Sequence, residues 1–159
     1  MNIALLTPDL IPQAAELWHE GWHTAHAPIV PQSLTDLRTM DSFTDRLKDA
    51  RDTTWAAVQD DTLLGFYMLQ GAELYQFYVA AAARGTGTAQ TLMAHAEDTQ
   101  AALGYSQIWL DCTVGNARAA RFYEKCGWRN SGTHTAQLVT STGPYPLTCW
   151  KYEKSLAQG

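Results

Sequence analysis

Charge, cysteine and long apolar runs are all scarce in this chain, and each shortage closes off a class of protein. Asp, Glu, Lys and Arg make up 17% of the 159 residues, and the acids prevail for a net charge of −5. No basic face stands ready for nucleic acid or an anionic membrane, while an acidic chain is better suited to cationic small molecules or peptide amines. The three cysteines, Cys112, Cys126 and Cys149, are odd in number and lie in segments that read as strand or helix. That speaks against a disulfide framework and for reduced core thiols. No apolar stretch approaches the ~18 residues of a membrane span. The N-terminal run lacks a basic leader and is broken at Pro8, so a soluble, cytoplasmic protein is expected. Repeats, low-complexity tracts and linkers are missing too. With 46% apolar residues, the length serves one core better than two, and a single domain over 1–159 is expected.

What is there alternates between helical and strand periods. Residues 2–6 read as a short strand, Thr7, Pro8 and Asp9 as a turn and helix start, and 10–22 as a helix. After Pro28 and Pro31, Ser33 is placed to cap a helical region through Leu34, Leu37 and Met40, with more helix over 43–48. The period then changes. Thr54–Gln59, a turn at Asp60 and Asp61, and 62–69 read as a hairpin, and Gly71 leads into a third strand, Glu73–Val79. Ala89, Leu92, Met93 and Ala96 recur at helical spacing, and Leu103 with Gly104 marks that helix's end. The strand at 106–113 follows a loop and a helix, so it is expected to run parallel to Glu73–Val79. A helix over 116–126, with Ala119, Phe122, Tyr123 and Cys126 on one stripe, and terminal strands at 129–139 and 145–153 complete the order. The expected fold is α/β (α+β): a mixed, mostly antiparallel central sheet with one parallel crossover, flanked by helices.

The loop RGTGTA, Arg84 to Ala89, joins a strand to a helix N-terminus. Gly85 and Gly87 allow backbone amides to approach oxygen anions. The helix start adds unpaired N–H groups and the positive end of a macrodipole, and Arg84 adds a charge, so the ensemble suits a pyrophosphate. A dinucleotide fingerprint fails because Gln90 stands where a third glycine is needed, and no Gly-Lys-Ser/Thr follows to make a Walker loop.

RGTGTA and the later NARAARFYEKCGW, Asn116 to Trp128, together resemble the GNAT superfamily of N-acetyltransferases. The likeness covers roughly 73–152 and includes the helix and strand between the two segments. It implies acetyl-CoA as co-substrate, with Arg84, Gly85, Thr86, Gly87, Thr88 and Ala89 around the diphosphate. Asn116 would serve both as N-cap and as a polar contact to CoA. Backbone groups of Phe77 and Val79 would run beside the pantetheine arm, with the Val79 N–H polarising the thioester carbonyl. The run Ala80 to Ala83 departs from the family, whose members often carry a proline there. Tyr123 is the implied general acid for the departing thiolate. Glu73 is the candidate base for the incoming ammonium, whose pKa is near ~10, with ordered water as the alternative used by many relatives. Trp18, Trp22, His23 and His26 would line the acceptor pocket, because the first helices form the variable substrate wall in this superfamily. The resemblance implies a primary amine of a small molecule or peptide as acceptor, and dimers are common in the family.

Two other readings stay open. His19, Glu20 and His23 spell HEGWH, which matches the H-E-x-x-H pattern of zinc hydrolases, although Gly21 weakens the helix and no third ligand stands out. A GNAT-like domain could also bind acyl-CoA as a sensor without transferring it.

Overall fold

Alternation along the central strands divides the interior in two, and the two halves set the architecture. In the computed structural model, which describes residues 1–156, seven strands form one sheet. They are β1 (Asn2–Leu5), β2 (Thr54–Gln59), β3 (Thr62–Gln70), β4 (Glu73–Val79), β5 (Gln107–Thr113), β6 (Arg129–Thr140) and β7 (Gly143–Ser155). Their spatial order is β1-β2-β3-β4-β5-β7-β6. Every pairing is antiparallel except β4 with β5. The helices are α1 (Ile11–His26), α2 (Gln32–Leu37), α3 (Met40–Asp49), α4 (Thr88–Ala102) and α5 (Ala117–Lys125). Successive strand side chains point to opposite faces. Ala56, Phe66 and Met68 therefore join Trp18, Leu34, Phe43 and Leu47 of α1–α3, while Ala57, Tyr67 and Leu69 join Leu92, Met93, Ala96 and Ala120 of α4 and α5. The expected mixed sheet with one parallel crossover is what forms.

Several boundaries differ from the sequence reading, each for a local reason. Helix α1 continues a turn beyond Trp22 to His26, through Gly21. A Cβ at Gly21 would stand 2.7 Å from a ring carbon of Tyr78, so this glycine is what allows the helix to lie so close to the sheet. Ser33 does not cap α2: Pro31 holds the N-cap position, and the Ser33 hydroxyl shares a 2.6 Å hydrogen bond with the Tyr145 hydroxyl. The helix breaks at Arg38, and Thr39 caps α3 by accepting from the Ser42 amide. Met40 thus begins α3 rather than extending α2. The last hairpin is longer than expected, with β7 starting at Gly143 and including Pro144 and Pro146. Strand β5 pairs with β7 only from Cys149 onward, so both prolines lie where β7 has one neighbour and their missing N–H groups cost no ladder bond.

Two irregularities in β4 open the sheet. Leu69 faces Leu74 while Met68 faces Gln76, so Tyr75 is an extra residue in the ladder. Beyond it, β4 and β5 pair at one position, Glu73 opposite Trp109, and then diverge. The wedge so formed runs toward the β4–α4 loop.

Candidate active site

At the wide end of the wedge the groups presented are largely main chain. Ala80 donates to the Leu64 carbonyl at 2.8 Å, and Tyr78 stands opposite Phe66, so alternation turns the amides of Phe77 and Val79 away from β3 and toward the gap. Gly87 occupies the N-cap position of α4 at φ +86°, with no side-chain cap, and Gly85 lies at φ +75°. Neither conformation suits an L side chain. The first-turn amides of Thr88, Ala89 and Gln90 precede the first intrahelical bond, from Thr91 to Gly87, and are the unpaired donors expected of a helix start. Thr86 donates to the Ala83 carbonyl, and its hydroxyl meets that of buried Thr88 at 2.8 Å. Those two side chains are engaged with the loop itself, which leaves the backbone amides as its free donors. Arg84 is exposed beside it. Asn116 caps α5 by accepting from the Ala119 amide at 3.4 Å.

A cavity of roughly 660 Å³ continues from Arg84, Gly85, Ala89 and Asn116 past Phe77, Val79 and Tyr123 to Glu73. The Tyr123 ring packs between Phe122, Trp128 and Tyr152. Among the described residues its hydroxyl has no hydrogen-bond partner, and burial holds it protonated far above the usual phenol range. It can donate a proton or hydrogen bond but not act as a base near neutrality. Glu73 is only 9% exposed. Burial first, and the Asp111 carboxylate second, push its pKa up to about 7. Asp111 in turn sits 2.5 Å from His134 Nε2. Cys112 and Cys149 also line the cavity, but burial pushes their thiols up to about 12 and about 11. They remain protonated and poor nucleophiles.

The other wall is built by α1, the α2–α3 joint and β6. Trp22 and His26 line the cavity and stack on each other at 5.2 Å, and burial lowers His26 to about 4. His23 does not line it. Its Nε2 turns to the Arg38 carbonyl at 2.7 Å and ties α1 to the α2–α3 joint. Trp18 is fully buried in the core behind the wall. The rings of His19 and His23 are 4.3 Å apart, as the i, i+4 spacing requires, yet no third His, Cys, Asp or Glu joins them among the described residues.

Arg38, Arg46, Tyr75, Asp111 and His134 are wall residues that sequence reasoning missed. Two of them left a trace. Asp111 is an acid within the otherwise apolar stretch IWLDC, and the interval between Leu74 and Phe77 breaks the two-residue period of β4, which is the mark of the bulge at Tyr75. Nothing local distinguishes Arg38 or Arg46 from ordinary helix-surface arginines.

Residues 13–128 match the acetyltransferase (GNAT) family. The chain belongs to that family. An uncharacterized N-acetyltransferase of Mycobacterium bovis is 35% identical over 101 residues, covering 60% of this chain and 65% of the relative's own length. Among solved structures, a GCN5-related N-acetyltransferase from Rhodopseudomonas palustris superposes with a TM-score of 0.76 at 19% identity, over 98% of this chain and 95% of the other. A paia N-acetyltransferase from Thermoplasma acidophilum, solved in complex with coenzyme A, superposes at 0.68 with 18% identity, over 97% and 98%. Identities this low speak for the fold alone.

Proposed function

We propose that this chain is an N-acetyltransferase that moves an acetyl group from acetyl-CoA directly to a primary amine of a small molecule or peptide, with both substrates bound together. The observation that carries the reading is the wedge between β4 and β5, which opens onto an uncapped helix start and continues into the cavity holding Glu73 and Tyr123. The Thermoplasma relative's complex with coenzyme A supports the choice of cofactor.

In this scheme the α4 amides and Arg84 hold the diphosphate, Asn116 adds a polar contact, and the edge of Phe77 and Val79 lies along the pantetheine arm. Bound acetyl-CoA supplies an activated thioester. Glu73, with Asp111 beside it, takes the ammonium proton and leaves a neutral amine to attack the carbonyl. A carboxylate whose pKa lies near 7 is matched to that task at neutral pH. The Val79 N–H stabilises the oxyanion of the tetrahedral intermediate, a contribution of ~3 kcal/mol where such donors have been removed. Tyr123 gives its proton to the departing thiolate and takes back the second proton that the attacking nitrogen sheds as the tetrahedral intermediate collapses, so the buried phenol ends neutral. Burial raises the Cys112 and Cys149 thiols, and the scheme takes the acetyl group to the amine directly.

The test is a thiol-release screen with acetyl-CoA and pooled primary amines. Amine-dependent release with formation of an N-acetyl product supports the scheme. Uptake of acetyl-CoA with no release from any pool contradicts it.

A further inference from the structure

The acceptor wall carries an uncompensated pair of cations. Arg38 is 3% exposed and lines the cavity. One of its terminal nitrogens donates to the Val139 carbonyl at 2.8 Å, whereas its buried Nε has no partner. Arg46 lines the same cavity, lies 4.3 Å over the Trp18 ring and donates to the Tyr75 hydroxyl at 3.2 Å. Among the described residues, no carboxylate comes within salt-bridge distance of either guanidinium. The two are near enough to repel, and burial with that repulsion lowers Arg38 to about 10. His26 lies within reach of the same positive field. A buried guanidinium with an unmet Nε–H and a cationic neighbour is a costly arrangement, which an incoming oxyanion relieves by accepting a side-on pair of N–H bonds.

Across the cavity the sign reverses. Glu73 and Asp111 form an acidic wall with His134, and Glu73 lies two positions from Tyr75 on β4, a spacing of about 7 Å along a strand. The cavity is thus bipolar, acidic where the amine loses its proton and basic where Arg46 meets Tyr75.

We propose that the acceptor is a primary amine that also carries an oxyanion, a carboxylate or a phosphate, held by Arg38 and Arg46 while its nitrogen is presented to Glu73. This rests on the acetyl-transfer reading above and adds the class of amine. It departs from the expectation, drawn from net charge alone, that cationic acceptors fit best.

Matched compounds of graded length test it: ω-amino carboxylates, their carboxamides, aminoalkyl phosphates and terminal diamines, each with acetyl-CoA in the thiol-release assay. The expected result is kcat/KM at least tenfold higher for an oxyanion-bearing amine than for the carboxamide or diamine of equal length. The carboxylate and phosphate arms show which oxyanion is preferred. In Arg46→Gln, which alters a half-buried residue and spares the joint that Arg38 ties, the preference collapses through a rise in KM rather than a fall in kcat. Arg38→Gln, if it folds, does the same. Carboxamides or diamines used as well as the anionic compounds would overturn the inference while leaving acetyl transfer standing, as would a preference that survives in Arg46→Gln. No thiol release in any arm would overturn both.

Discussion

At the α4 end of the cavity the groups presented are largely main-chain amides, set by the backbone of one loop and one strand edge, with the Arg84 and Asn116 side chains beside them. At the opposite end they are side chains of Trp22, His26, Arg38, Arg46, Glu73, Asp111 and His134, which converge only when distant elements pack. A backbone-built site depends on conformation and tolerates side-chain change, as Gly87 at φ +86° illustrates. A site built from side chains depends on the identity of each one. Loss of a single side chain is therefore expected to be costly at one end and mild at the other.

The largest effect sharpens the comparison at the side-chain end. Glu73→Gln removes the proposed base and is expected to lower kcat/KM by about 10³-fold. In the unmodified chain kcat/KM is expected to rise with pH through about 7 as Glu73 ionises. The substitution flattens that limb in a pH–rate profile. Tyr123→Phe comes next, lowering kcat by roughly 10²-fold while the dissociation constant of acetyl-CoA stays within twofold. Unchanged turnover would remove Tyr123 from the role of acid.

At the backbone end the expectation inverts. Gly87→Val strains a left-handed position by roughly 1–2 kcal/mol, which the loop relieves by leaving its binding conformation, and acetyl-CoA affinity falls about tenfold. Arg84→Ala removes an exposed charge and costs only about two- to fivefold, less at high salt.

The smallest effect is on stability. Glu73 titrates higher in the folded chain, near 7, than when exposed, near 4.5. Folding is therefore penalised progressively from pH ~4.5 to ~7, where the unfolded chain holds the carboxylate ionised and the fold resists it. Glu73→Gln lifts that penalty. Its melting temperature is expected to exceed that of the unmodified chain by ~2–4 °C above pH 7, on the order of 1 kcal/mol, and the gain fades below pH ~4.5. An equal shift at both pH values would contradict the burial of an ionised Glu73.

The same division explains what could be read before the chain was seen folded. RGTGTA and the helix from Asn116 are contiguous, and their chemistry comes from glycine conformation and helix termini, which follow from local order. The hairpin at Asp60 and Asp61 was equally legible, with both residues at positive φ as a tight turn demands. Arg38 and Arg46 reach the cavity because α2 breaks at Arg38 and α3 starts anew at Met40, capped by Thr39. Ser33 had offered itself as the more obvious cap. His23 was expected in the wall because the first helices form it in the superfamily the chain resembles, and a one-residue rotation along α1 sends it to the Arg38 carbonyl instead. Asp111 and His134 lie on strands that become neighbours of β7, not of each other, so no sequence spacing links them.

Equilibrium dialysis of acetyl-CoA against the unmodified chain, Gly87→Val and Arg84→Ala, run side by side, tests most directly whether main-chain donors hold the cofactor. The predicted result is one saturable site per chain, weakened about tenfold by the glycine substitution and only a few-fold by loss of the arginine. No saturable uptake by the unmodified chain, or a heavier dependence on Arg84 than on Gly87, would contradict the account.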